Sequence, residues 1–513
     1  MRSKTARDAL SGAVAAMVAL GISELAAGLL GLPSLIGGMG NWVIDMVPTP
    51  VKEWAIATFG TNDKLVLLIG IIVVTIVVGA VVGVAARDRF GIAMAAFIGF
   101  AALAAMASLN DPKVSLGLAV IPAGLAAISG LVALQWLYAR GAESVGSPSD
   151  EGVPYGVSRR GFVIGAGALF GLAVLSGGIG RALVNRTTRS ASGRAEVALP
   201  AAAQALPAVP EAAELGVEGL SSVVTPNEVF YRIDTAFLGV PRVDIQAWAL
   251  SIEGRVDNPY SISYFDLLDM PLIEKDVTLS CVSNEVGGDL VGNARWLGVP
   301  LADILDRAGV RDEAEQLVGR SVDDFTVGFP VEAVYDGRDA LIAVGMNGEP
   351  LPMEHGFPAR LVVAGLYGYV SATKWISSLE LTGWDDFDAY WIPRGWAKEA
   401  PIKTQSRIDT PTQGASMAPG TRQVAGVAWA PTRGISKVEV RLGDDAEWVE
   451  ARLAEPLSDN CWRQWVVDWD APAGSHQLQV RATDGEGNLQ TDELRPPAPD
   501  GATGWHYIQV SVG

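Results

Sequence analysis

Two cysteines and three histidines in 513 residues bound the metal chemistry open to this chain. Cys281 follows the β-rich run TLS and opens the Gly-rich stretch CVSNEVGGDLVGNARWLGVPL. A thiolate at a strand end beside a flexible loop is placed to ligate a soft metal; a plain buried thiol is the alternative. No CxxC, no Cys/His pair and no zinc-like spacing accompanies it, so structural zinc and iron–sulfur clusters lack ligands. Cys461, beside Trp462, reads as a small apolar core residue, since a bridge to Cys281 would have to join two domains. His355, His476 and His506 all fall outside the first 185 residues, which excludes a bis-histidine b-type haem there. Glu24 lies inside an apolar run, where an ionisable group is a functional candidate or a carboxylate satisfied by a neighbouring helix or interfacial water. Arg159 and Arg160, in SRRGFVIGAG, precede another apolar run. That pattern is a twin-arginine export signal in mid-chain, or a positively charged cytoplasmic anchor.

The elements that must carry these groups divide the chain in two. Five apolar stretches are long enough to span a hydrocarbon core: Ala9–Leu32, Leu65–Ala86, Ile92–Leu109, Val114–Tyr138 and Gly161–Val184. Basic residues gather before the first span, after the second, and between the fourth and fifth. The positive-inside rule therefore predicts a cytoplasmic N-terminus, an extracytoplasmic remainder after the fifth span, and residence in the cytoplasmic membrane. Residues 1–185 form this helical membrane domain, and residues 186–224, rich in Ala and Pro, read as a tether with little to bury. A soluble domain is expected over 225–400. From about Gln423 the runs VAGVAWA, KVEVRLG, WRQWVVDWD, HQLQVRATD and WHYIQVSV alternate at period two, which predicts an immunoglobulin-like β-sandwich over 401–513. The net charge of −19, with no basic block, excludes a nucleic-acid partner.

Three separated motifs carry a resemblance. TPNEVFYRIDT, TLSCVSNEVGG with NARWLGVPL, and GMNGEPLPMEHGFPARLVVAGLYGYVSATKW are similar to the sulfite-oxidase-like family of molybdopterin enzymes, over roughly Thr225 to Val512. The resemblance implies an α+β catalytic domain holding molybdenum-molybdopterin, with Cys281 as the protein's ligand to the metal and Arg232 facing the metal pocket. It implies cofactor binding by Phe230, Tyr231, Arg232, Asp234, Cys281, Asp323, His355, Arg360, Thr373 and Lys374. These types suit a pterin: Arg and Lys neutralise its phosphate, and an Asp accepts from its ring N–H groups. The C-terminal sandwich resembles the family's dimerisation domain, which implies a homodimer. The twin-arginine reading gains from the resemblance, because a domain folded around its cofactor in the cytoplasm needs a route that passes folded proteins.

Two departures bear on the substrate. Asn284 is followed by Glu285 and Val286, where sulfite oxidisers carry arginines, and the family's sulfite-binding tyrosine has no clear counterpart in YWIPRGWAKEA, where Arg394 and Trp396 stand. A buried carboxylate beside the pocket would repel an anion. No haem domain flanks the catalytic stretch. The expectation is a membrane-anchored extracytoplasmic oxidoreductase doing two-electron oxygen-atom transfer on sulfite or another small sulfur compound. Its electrons go to an external carrier or a membrane haem protein, with no haem, zinc or iron–sulfur cluster of its own. Alternatives are a sulfoxide or N-oxide reductase, and a non-catalytic membrane receptor or scaffold with a degenerate molybdenum domain.

Overall fold

A computed structural model describes residues 2–30, 32, 34–47, 51, 55, 58–59, 63–109, 114, 116–142, 159–191, 193–236, 240–241, 243–443 and 446–513. Two compact units result: Met1–Ser190 with Ala236–Val240, and Ala191–Thr235 with Pro241–Gly513.

The first unit is helical: α1 (Arg2–Leu30), α2 (Leu35–Met46), α3 (Asp63–Ala85), α4 (Gly91–Ser108), α5 (Leu116–Ala142) and α6 (Arg159–Ala191). Five of these are long and apolar enough to cross a membrane, over Lys4–Leu30, Lys64–Ala85, Gly91–Ser108, Leu116–Arg140 and Arg160–Leu183. They coincide with the five expected spans to within a few residues. Outward positions stay apolar, as on α3, where Ile69, Val73, Val77 and Val81 are exposed. That is the pattern of a helix solvated by hydrocarbon rather than water. α1 packs closely on α3 through glycine, since a Cβ on Gly12 would meet the Gly79 carbonyl at 2.0 Å. α2 was not expected from the sequence. Its 12 residues are too short for a span, and it starts where Ser34 caps the Gly37 N–H at 3.1 Å.

In the second unit, a five-stranded sheet runs Tyr260–Ser263, Ala249–Gly254, Ile376–Thr382, Gln316–Ser321, Thr326–Pro330. Another pairs Ile273–Ser280 with Val291–Pro300, then Ala340–Met346, which also takes Glu349–Pro350 and Arg360–Val363. Ser280 faces Val291 across an antiparallel pair, so residues 281–290 form a hairpin loop with Cys281 as its first residue. From Gln405 onward, sheets of four and five strands enclose one core including Trp465, Val438, Val480 and Ile508. The alternating runs named above all fall in these strands.

The Ala/Pro-rich segment behaves differently from a tether. Residues 193–224 belong to the second unit and are tied to it by backbone groups. Ala203 N–H donates to Leu272 O (2.7 Å), Leu215 N–H to Gln464 Oε1 (2.7 Å), and Val223 O accepts from both Asn293 Nδ2 and Trp462 Nε1 (2.8 Å each). A segment without apolar periodicity can still be ordered when its amides and carbonyls find partners.

Candidate active site

The hairpin loop 281–290 is closed by its own hydrogen bonds. Cys281 N–H donates to Leu290 O (2.9 Å), and the buried Asn284 accepts the Leu290 N–H on its Oδ1 (2.8 Å). Cys281 is a free, buried thiol; burial pushes its pKa up, with Ser283 hydrogen bonds opposing. Cys461 is also free and buried, donating to Asp276 O at 3.1 Å, so no disulfide joins the two.

Several of the other expected residues contact one another. Phe230 and Tyr231 stack at 5.2 Å, and Phe230 meets Trp296 and His355 edge-on at 5.9 and 5.5 Å. The Tyr231 hydroxyl is raised in pKa by burial and then by the charge of Cys281, with Arg360 opposing. His355 is buried, its Nε2 at 2.9 Å from Asn227 O, and burial lowers its pKa to about 4. Gly356, at φ 115°, lets the chain turn where a Cβ would crowd Arg360 Cβ (3.0 Å) and Lys374 Cα (3.2 Å), so His355, Arg360 and Lys374 converge.

Arg360 carries the strongest signal. It is 5% exposed, lies 5.0 Å over the Trp296 ring, and donates to carbonyls alone: His355 O (3.0 Å) and Leu361 O (3.3 Å). Among the described residues no carboxylate forms a salt bridge with it, and burial lowers its pKa to about 10. A buried cation without a counter-charge is costly, so this position suits an anion brought by a ligand. Lys374 is buried too. It donates to Asp234 Oδ2 (2.8 Å) and Glu354 O (3.1 Å), and desolvation lowers its pKa to about 8. Asp234 also accepts from Arg232 Nε (2.8 Å), whose side chain is 41% exposed and so accessible from outside. Thr373 is fully buried beside Gly319 O (3.4 Å). Asp323 accepts from Ser321 Oγ; burial, then the charge of Asp234, raises its pKa. Asp324 and Trp375, the neighbours of Asp323 and Lys374, hold positive φ of 65° and 51°. Such outliers cluster at functional sites.

All ten expected residues lie in the second unit. Their donor set fits a phosphate-bearing pterin: a buried guanidinium without a carboxylate partner among the described residues, a buried lysine, two acids, stacked rings and a thiol. Glu285, in contrast, is exposed, so it is not a buried carboxylate repelling anions. The sequence reading missed Tyr367. It is buried, and its pKa is raised to about 12, chiefly by burial and with the Cys281 charge among the lesser causes. Its place within GLYGYV gave no chemical signal.

The oxidoreductase molybdopterin binding domain matches residues 237–391. The chain is 28% identical over 342 residues to the mitochondrial sulfite oxidase of Rattus norvegicus, covering 57% of this chain and 62% of that protein. It is 33% identical over 153 residues to the uncharacterized oxidoreductase YuiH of Bacillus subtilis, covering 30% of this chain and 74% of the relative. The crystal structure of the sulfane dehydrogenase SoxCD from Paracoccus pantotrophus shares the fold, with TM-score 0.50, 24% identity, and coverage of 58% of this chain and 86% of that one. The chain thus spans about three fifths of the length of the mammalian sulfite oxidases it matches.

Proposed function

Because this chain belongs to the sulfite-oxidase-like family of molybdopterin-dependent oxidoreductases, we propose that it is a membrane-anchored enzyme carrying out two-electron oxygen-atom transfer on a small sulfur compound, with Cys281 as its ligand to molybdenum. The observation that carries this is Arg360, a buried guanidinium without a carboxylate partner among the described residues, in the same unit as a buried free thiol. Bound molybdenum-molybdopterin supplies the two-electron oxygen-atom chemistry. Arg360 and Lys374 neutralise the phosphate, while His355, Thr373, Asp323 and Asp234 offer hydrogen-bonding groups to the pterin. With its pKa near 4, His355 is neutral at pH 7, so it positions without adding charge. Stacked Phe230 and Tyr231, with Trp296 edge-on to Phe230, offer the pterin a wall of rings. Arg232, held by Asp234 yet accessible, receives an anionic oxygen of the substrate.

Sulfite is one candidate; a sulfoxide or N-oxide, reduced rather than oxidised, is the second. The loop 281–290 supports the second, for it carries no basic residue to hold a sulfite dianion. Steady-state rates with sulfite and an artificial acceptor, against sulfoxides and reduced viologen, separate them; turnover of neither class sinks both.

The five apolar helices support a multi-pass anchor. We place the N-terminus in the cytoplasm and the second unit outside, exported by the twin-arginine route from Arg159 and Arg160 at the start of α6; Ser158 lies outside the described residues. The C-terminal two-sheet region is proposed as an immunoglobulin-like dimerisation module, and an external carrier or membrane haem protein as the electron partner.

A further inference from the structure

We propose that Arg407, backed by His506, is a positioning residue for the Cys281 loop, supplied from the C-terminal two-sheet region. The proposal rests on the reading of Cys281 as the metal ligand. Arg407 and His506 lie far from the loop in sequence, in strands Gln405–Thr410 and His506–Val512.

The Arg407 guanidinium uses each nitrogen on a different anchor. Nε donates to Asp409 Oδ1 (2.6 Å), Nη2 to Ser221 Oγ (3.0 Å), and Nη1 to Gly288 O (2.7 Å), inside the Cys281 loop. Asp409 is held in turn by the Ser221 N–H at 3.0 Å. A planar fork fixed on two sides leaves its third donor little freedom, so the Gly288 carbonyl is held at a set place. Arg407 is 9% exposed, which keeps water from competing for that carbonyl. The pair with Asp409 makes the buried charge tolerable.

His506 closes the other side. Its Nδ1 accepts the Ile408 N–H at 3.0 Å, orienting the ring, and its edge presses on Gly287. Gly287 has φ +79°, and a Cβ there would stand 2.1 Å from His506 Cδ2, so this residue type lets loop and ring meet. The loop is therefore tied at its base by Cys281 and Leu290, inside by Asn284, and from outside by Arg407 and His506. Among the described residues these partners hold the loop by backbone groups, not by the thiol. They set where the loop can hold it.

The test uses the full chain in detergent, prepared from a host that makes no pterin, with site-resolved alkylation of the two cysteines by iodoacetamide. Arg407→Gln should speed alkylation of Cys281 roughly tenfold by freeing the loop, with Cys461 as slow as in wild type. Arg407→Lys keeps one donor for Gly288 O and should bring the rate back to within about threefold. Equal Cys281 rates in wild type and Arg407→Gln, with Cys461 still protected, would overturn the proposal. If Arg407→Gln also exposes Cys461, Ser221→Ala replaces it, removing only one anchor of the fork. A rise of about threefold at Cys281 alone supports the clamp, and no change refutes it. Molybdenum content of wild type from a competent host, measured alongside, reads the ligand assignment separately, so the two can fail independently.

Discussion

Glu24 in the helical unit and Arg360 in the second unit are both ionisable and nearly inaccessible, 6% and 5% exposed, yet they are treated differently. Glu24 is met by its own fold: Ser34 donates to Oε1 at 2.6 Å while also capping α2. That is the carboxylate satisfied within the helical bundle, one of the two readings its position allowed. Arg360 donates to two carbonyls and lies over the Trp296 ring, with no carboxylate partner among the described residues. A buried charge completed by the chain is architecture, and one left without a counter-charge marks where something else binds.

Four variants or conditions test that contrast, taken from the largest effect to the smallest. Cys281→Ser should lower turnover by roughly a thousandfold or more while the fold and the phosphate contacts persist, because a hydroxyl is a poorer donor to the metal than a thiolate. Near-wild-type rates in a molybdenum-loaded Cys281→Ser protein would refute the ligand assignment. Arg360→Met should cut bound pterin at least roughly tenfold yet stabilise the cofactor-free protein by about 1–3 kcal/mol, since it removes an uncompensated buried charge. Pterin release and denaturant midpoints check both halves, and a destabilised cofactor-free variant would mean that the chain does complete this charge.

The next concerns pH. Burial lowers His355 and His506 to about 4 from an ordinary 6.5. Between those values the unfolded chain binds protons that the folded rings refuse, so stability falls as pH drops from 6.5 toward 4. The loss is at most about 3 kcal/mol per ring. Urea midpoints of wild type and of a His355→Gln, His506→Gln double variant at pH 7 and 4.5 should differ in slope, the variant's being shallower. Equal slopes would contradict it. The smallest effect is Glu24→Gln, which keeps an acceptor for Ser34. It should change stability by less than about 1 kcal/mol and leave molybdenum content and rate within about twofold. A larger loss of activity would make Glu24 functional.

How far the sequence reveals this molecule depends on the range of the interactions. The five apolar helices are legible because length and composition alone decide whether hydrocarbon can solvate a segment. The strands beyond Gln405 are legible through their period of two. The site residues are legible only through motifs, since nothing local says that Arg232, Asp234 and Lys374 share hydrogen bonds across 140 positions. Helix α2 is missed because LIGGMGNWVIDM is short and glycine-rich. The ordered 193–224 segment is missed because its partners, such as Leu272 O, Gln464 and Trp462, lie far along the chain and leave no periodic signal in it. The Arg407 contact with Gly288 spans 119 positions and leaves no local trace at either end.

In the proposed enzyme the buried Cys281 thiol and the Arg360 guanidinium, which has no carboxylate partner among the described residues, belong to one molybdenum-pterin site. Elemental analysis of the purified full-length protein from a molybdenum-competent host tests it most directly. Close to one molybdenum per chain is expected, released together with pterin on denaturation. Less than roughly a tenth of an equivalent, in a host that loads other molybdenum enzymes, would contradict it and leave a scaffold in place of an enzyme.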